Sequence, residues 1–164
     1  MPEPKYFYML IGLPGSGKST WINNNVFGNT AILSTDQLIE DYASIKGKTY
    51  SEVFKEYIGV ATDFFFSLIE QEVQAGRNIL IDRTNMSVSV RKKILDMIPD
   101  DYIKVAIVVT CDEVDLQERL FNRPGKTIPW NVIESMKKSY QEPTKAEGFS
   151  SITYLNTSKM RNDE

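Results

Sequence analysis

Residues 12–21 read GLPGSGKSTW and follow directly on the apolar run YFYMLI at 6–11. Glycine at 12 and 17 followed by Lys18 and Ser19 is the Gly-x4-Gly-Lys-Ser pattern of a phosphate-binding loop. Its glycines let the backbone wrap closely around phosphates with N–H groups pointing inward. Lys18 can reach the outer phosphates, and Ser19 can ligate Mg²⁺. Gly12, Pro14, Gly15, Ser16, Gly17, Lys18, Ser19 and Thr20 are therefore the expected nucleotide-binding residues. Trp21 suits packing of the following helix, with stacking on a ligand as the other reading. A loop of this kind serves motors, switches and kinases alike, so the rest of the chain must choose among them.

Working outward, apolar β-rich runs alternate with helical patterns. The strand candidates are KYFYMLI (5–11), TAILS (30–34), NILID (78–82), IKVAIVVT (103–110) and SITYLN (151–156). Their near-continuous apolar character fits strands covered on both faces. Helices are expected near 18–25, 36–44, 51–75, 87–97, 112–121 and 130–141, with Gly76 ending the long third one and Pro129 in the first turn of the last. The alternation predicts an α/β fold with a parallel sheet and helices on both faces. The chain reads as one domain over 1–164, with a lid at about 119–128 and a polar, frayed tail at about 157–164. The long segment 50–74 is rich in aromatics; Phe64, Phe65 and Leu68 read as core, with base stacking as the alternative.

Composition narrows the function. The 41% hydrophobic content is enough for an ordinary core, and no apolar run approaches the ~20 residues that would span a membrane. The N-terminus lacks the pattern of a signal peptide. A lone cysteine, Cys111, forms no internal disulfide, reads as structural rather than reactive, and fits a reducing cytoplasm. The chain has no histidine, so proton transfer falls to Asp, Glu, Lys, Tyr or water. A net charge of −3 argues against coating nucleic acid by bulk charge, though not against gripping one end in a local cleft.

Three further stretches carry chemistry. TAILSTD places Asp36 at the carboxyl edge of a strand, where open α/β sheets bind ligands. Asp36 reads as a general base for an attacking hydroxyl, as the helix N-cap, or as both. ILIDRTN places Asp82 to hold magnesium, and Thr84 and Asn85 to meet substrate; capping by Asn85 or Ser87 is the structural alternative. QERLFNRPGKTIP sets Arg119 and Arg123 four apart on a helix that breaks into a loop. That arrangement suits a lid over phosphates, and equally a solvated basic face.

Together these pieces resemble the kinase domain of the 5′-hydroxyl polynucleotide kinases of bacteriophage and animal end healing. GLPGSGKSTW resembles their phosphate loop, STD the segment bearing their general base, and IDRTN the animal Asp-Asn-Thr-Asn. Arg119 through Arg123 to GKTIP resembles the phage lid, and SMKKSYQEPTKAEGFSSI (135–152) the animal closing segment. The resemblance covers about residues 6–152 and implies a five-stranded parallel sheet of order 2-3-1-4-5. It implies ATP and Mg²⁺ as cofactors, with Ser19 and Asp82 on the metal, Asp36 as base, and Lys18, Arg119 and Arg123 acting on phosphate. It further implies nucleic-acid 5′ ends as partners. Three departures bear on the substrate. Thr35 stands where the family usually carries an arginine and Ile39 where the phage form does, and Arg83, where the animal form has Asn, is either a basic contact from another loop or simply an exposed side chain. No Asp-x-Asp-x-Thr phosphatase signature is present, so phosphatase or ligase steps would come from separate proteins. A small-molecule kinase acting on a nucleoside, nucleotide or sugar nucleotide is the alternative, and a non-catalytic NTP switch is a third.

Overall fold

The computed structural model of the chain describes residues 3–25 and 28–158. Five strands, β1 (Lys5–Ile11), β2 (Thr30–Leu33), β3 (Asn78–Ile81), β4 (Tyr102–Thr110) and β5 (Ser151–Asn156), form one sheet of order β2-β3-β1-β4-β5. Every neighbouring pair is parallel. Six helices connect them: α1 (Lys18–Asn24), α2 (Thr35–Lys46), α3 (Tyr50–Ala75), α4 (Val88–Leu95), α5 (Glu113–Phe121) and α6 (Trp130–Ser139). This is the fold of the P-loop kinases, and the sheet order is the one expected. Element ends differ from the expectation by a few residues, within the fraying of any terminus.

The strands are apolar throughout because both faces of the sheet are covered. Phe7, Met9, Ile11, Ile79, Ile81, Ala106 and Val108 point to one face, where Phe65 and Ile69 of α3 and Ile94 of α4 pack on them. Leu10, Leu80, Ile107 and Val109 point to the other, where Trp21 and Ile22 of α1 pack. Trp21 thus packs its helix on the sheet and also lines the cavity described below. α2 lies on α3 rather than on the sheet, through Ile39, Ala43, Val53 and Ala61. Of the aromatics expected in the core, Phe65 is fully buried but Phe64 is 51% exposed, because the next residue on a helix turns about 100° away.

Local capping fixes where the helices start. Ser34, not Asp36, caps α2, accepting from the Gln37 N–H at 3.2 Å; Asp36 lies one turn position inside. Ser87 caps α4. Thr49 and Glu52 form a reciprocal capping box at α3, which ends at Gly76 with φ 70°. Pro129 sits at the N-cap of α6 rather than inside its first turn. The expected tail is partly engaged: Ser158 is buried, donates to the Asp115 carboxylate and accepts from the Asp112 N–H at 2.9 Å. Residues 159–164 lie outside the described residues.

One charged side chain lies entirely inside. Arg91 of α4 is 0% exposed. Its Nε donates to Glu147 at 2.8 Å, and its Nη atoms donate to the carbonyls of Asn85 (2.9 Å), Met86 (3.1 Å) and Gln141 (2.9 Å). The closing segment 141–147 is thereby fastened to the loop after β3. Removing one partner of such a pair strands a buried charge, at a cost of about 3–5 kcal/mol. Arg91→Ala should therefore lower Tm by roughly 6–20 °C, at 2–4 °C per kcal/mol for a chain of this size. A thermal melt followed by circular dichroism checks it, and replacing Arg91 and Glu147 together by apolar residues should recover part of the loss.

Candidate active site

The carboxyl ends of all five strands open on one edge, so every loop that follows a strand reaches the same place. A cavity of about 650 Å³ lies there. The phosphate loop enters it from β1. Gly12 has no room for a side chain: a Cβ would stand 2.5 Å from the Val109 carbonyl oxygen. Gly17 adopts φ 109° against the Thr157 side chain. Pro14, Gly15, Gly17, Lys18, Ser19 and Thr20 line the cavity. Gly12 and Ser16 do not: the Gly12 N–H donates to the Thr84 carbonyl at 3.0 Å, and Ser16 is buried with its N–H on Leu13. Lys18 folds back onto its own loop, Nζ donating to the Gly12 carbonyl at 2.7 Å. Burial lowers its ammonium to about 8, against the opposing pull of Asp82 and Asp36.

Two carboxylates face this loop. Asp36 comes from the end of β2. Burial pushes its carboxyl up, but Lys126, Tyr50 and Lys18 outweigh that and hold it below its usual value. Its Oδ1 accepts from the Tyr50 hydroxyl at 2.7 Å, and its Oδ2 from Lys126 Nζ at 3.0 Å. Asp82 comes from the end of β3. Burial raises its carboxyl, with Lys18 opposing. Among the described residues its carboxylate has no hydrogen-bond or ion-pair partner. Asp82 and Ser19 line the same cavity, and a desolvated carboxylate together with a hydroxyl is a hard-oxygen donor pair that fits magnesium.

The arginines divide by role. Arg119 Nη1 donates to the Thr157 hydroxyl at 2.9 Å and to the Gly15 carbonyl at 3.3 Å. It is thus a brace on the phosphate loop as well as part of the cavity wall. Arg123 also lines the cavity, with a buried Nη1 that meets no acceptor among the described residues. Arg83 lines the cavity as well, its guanidinium 4.9 Å from the centre of the Phe65 ring. Thr84 lines the cavity too. Asn85 does not. It is 1% exposed with φ 50°, and its amide donates to the carbonyls of Leu10 (2.7 Å) and Arg83 (3.2 Å). The expectation that Asn85 meets substrate is corrected on this geometry: it shapes the loop instead. Thr35 and Ile39 are buried, so neither position faces a ligand. Sequence reasoning missed Tyr50, Lys126 and Thr157. Lys126 stood inside the quoted lid stretch, but nothing local links it to a carboxylate 90 residues away.

Comparison with known proteins is consistent with this geometry. Residues 7–143 match the AAA_33 family, described as AAA domain. Heterogeneous nuclear ribonucleoprotein U-like protein 2 of mouse and of human is 24% identical over 163 residues, covering 89% of this chain. The chain spans about a fifth (21%) of the length of these curated relatives. Among solved structures, a provisionally assigned kinase from Chloroflexus aurantiacus J-10-fl aligns with a TM-score of 0.72 at 15% identity, over 97% of this chain and 91% of that one. A chain of the Pnkp1/Rnl/Hen1 RNA repair complex aligns at 0.64 and 21% identity, over 85% of this chain and 45% of that one. A sugar kinase from Janibacter sp. HTCC2649 aligns at 0.61 and 16%, over 93% and 86%.

The lowered Lys18 makes nucleotide binding pH-dependent. A bound polyphosphate raises the ammonium again, so this contribution is complete below pH 8 and is lost as pH rises through the bound-state value. Calorimetry in two buffers of different ionisation enthalpy should show uptake of nearly one proton at pH 9 and little at pH 6.5. Affinity should weaken by up to about tenfold per pH unit above 8, and Lys18→Met should abolish the uptake.

Proposed function

The chain belongs to the AAA_33 family of AAA domains, and on that premise we propose that it transfers the γ-phosphoryl group of ATP to a 5′-hydroxyl end of DNA or RNA. The observation that carries this reading is the Asp36 carboxylate, in the first turn of α2 on the cavity wall, which accepts from Tyr50 and Lys126 and is held below its usual range by them and Lys18. A nucleotide switch has no use for a base at that point, whereas transfer to a hydroxyl does.

On this reading the phosphate loop seats the triphosphate, and Lys18 neutralises its outer oxygens. Ser19 and Asp82 are the candidate ligands of magnesium, which when bound supplies positive charge to the β- and γ-phosphate oxygens. The acceptor oxygen bonds to the γ-phosphorus as the bond to the leaving ADP oxygen breaks. Asp36 orients the hydroxyl and takes its proton. Arg123, whose buried Nη1 meets no acceptor among the described residues, lends charge to the transferring group, and Arg119 holds the loop and the nucleotide. Arg83 and Thr84 face the acceptor, and Arg83 offers the anion contact that buried Thr35 and Ile39 do not. The membership of Pnkp1 in an RNA repair complex supports the nucleic-acid acceptor. No helix among the described residues is long and apolar enough to cross a membrane.

A small-molecule acceptor is the second reading. It is favoured by the loss of phosphate-gripping cations from α2, where Thr35 and Ile39 are buried, and by the likeness to a sugar kinase.

Labelled ATP offered to a 5′-hydroxyl oligonucleotide, a nucleoside and a sugar separates the two readings. Label on the nucleoside or sugar alone would overturn the first. Asp36→Asn should melt within a few degrees of wild type, because Ser34 caps α2, and should still bind ATP. Its transfer rate should fall at least ~100-fold. A wild-type rate would remove Asp36 from the mechanism. Arg123→Ala should lower kcat more than it raises the KM for acceptor; equal effects on both would make it a binding residue only.

A further inference from the structure

On the reading that Asp36 deprotonates the acceptor, we propose that Lys126 and Tyr50 are positioning residues that clamp its two carboxylate oxygens separately and so fix the face it presents to the acceptor hydroxyl. A carboxylate at the start of a surface helix rotates freely about χ2, and a base that rotates meets its proton only part of the time. Here each oxygen has its own donor, Tyr50 hydroxyl to Oδ1 at 2.7 Å and Lys126 Nζ to Oδ2 at 3.0 Å. A carboxylate offers about four lone-pair directions, so two remain for the acceptor.

Both clamping groups are themselves held. Lys126 is 6% exposed, unusual for a lysine on a loop. Its neighbours in sequence are tied to the first turn of α3: the Gly125 carbonyl accepts from the Ser51 N–H at 3.3 Å, and the Thr127 N–H donates to Ser51 Oγ at 3.2 Å. Gly125 turns at φ 71°, so that the intervening side chain dives inward. Its Nζ lies 4.4 Å from the centre of the Tyr50 ring and 3.9 Å from Glu40. Tyr50 opens α3 directly after the Thr49 cap, so the capping box that starts the helix also places the phenol. Burial and Asp36 push that phenol far above its ordinary range, so it stays a donor at any working pH. The titratable and charged groups around Asp36 are Lys126 and the neutral Tyr50 phenol in contact, with Lys18 from the phosphate loop, Asp82 and Arg83 from the loop after β3, Glu40 from α2 beside Lys126, and Arg123 on the wall of the same cavity.

Two other roles are open to Lys126: tying the lid loop to α2, or touching the transferring phosphate. A double-mutant cycle separates these from positioning. It is run on whichever acceptor the wild type labels. Lys126→Met should retain its fold and ATP affinity and lose ~10–100-fold in kcat, the range that misplacement of a reacting group produces. The acid limb of its kcat–pH profile should move to higher pH, because a cation beside the carboxyl is gone. Lys126→Arg should restore part of the rate. In an Asp36→Asn background, Lys126→Met should cause no further loss. An equal loss in both backgrounds overturns the inference and places Lys126 on phosphate or in the lid alone. An Asp36→Asn enzyme as fast as wild type overturns the base assignment itself, and the clamp with it. If Lys126→Met does not fold, Tyr50→Phe, which removes one hydroxyl, carries the same cycle with the same outcomes.

Discussion

A guanidinium taken out of water must have its donors met, and Arg91 meets them with the closing segment on one side and the loop after β3 on the other. The consequences run straight to the phosphate loop. The Asn85 carbonyl that Arg91 holds belongs to a residue in the left-handed region, whose own amide donates to the Leu10 carbonyl. One residue earlier, the Thr84 carbonyl receives the Gly12 N–H. The loop bearing Asp82, Arg83 and Thr84 and the loop bearing Lys18 are therefore set against each other by hydrogen bonds of fixed length. The motif-like closing segment 141–147 matters for this bracing, since none of its residues lines the cavity.

A second brace acts from the other side of the sheet. Thr157, just past β5, donates its hydroxyl to the Ser16 carbonyl at 2.6 Å and receives Arg119 at 2.9 Å. Its methyl group fills the space where any side chain at Gly17 would stand. The end of the last strand thus holds both the turn of the phosphate loop and Arg119, and Thr157 and Ser158, expected in a frayed tail, are both engaged.

Within this frame the cavity balances charges that desolvation would otherwise neutralise. Lys18 is lowered by burial and Asp82 raised by it, each moving toward its neutral form, and each opposing that movement in the other. Asp36 escapes the same fate because Lys126 and Tyr50 meet it directly. Two carboxylates facing one loop are so given different characters: Asp36 is hydrogen-bonded and held below its usual range, while Asp82, with no hydrogen-bond partner for its carboxylate among the described residues, is raised by burial.

Much of this was legible along the chain. Strand after strand of unbroken apolar residues, with helical patterns between, determines a parallel sheet buried on both faces; the glycine spacing before Lys18 determines a loop that can wrap phosphate. Asp36, Asp82, Arg119 and Arg123 could be picked out because each follows a recognisable strand or sits at helical spacing. Other features were not legible, for physical reasons. Whether Asp36 or Ser34 caps α2 turns on one hydrogen bond; whether Asn85 faces ligand or interior turns on a single left-handed backbone angle. Phe64 and Phe65 differ only in which way one helix step points. The pairing of Lys126 with Asp36, Arg91 with Glu147 and Thr157 with Ser16 spans 90, 56 and 141 residues. Such pairings are set by where loops meet once the sheet has closed. The sequence alone determined the scaffold and singled out the candidate site residues, because periodicity and backbone freedom are local properties. Which groups neutralise, orient or bury one another was decided only by the tertiary structure, because charge and hydrogen bonding act through space.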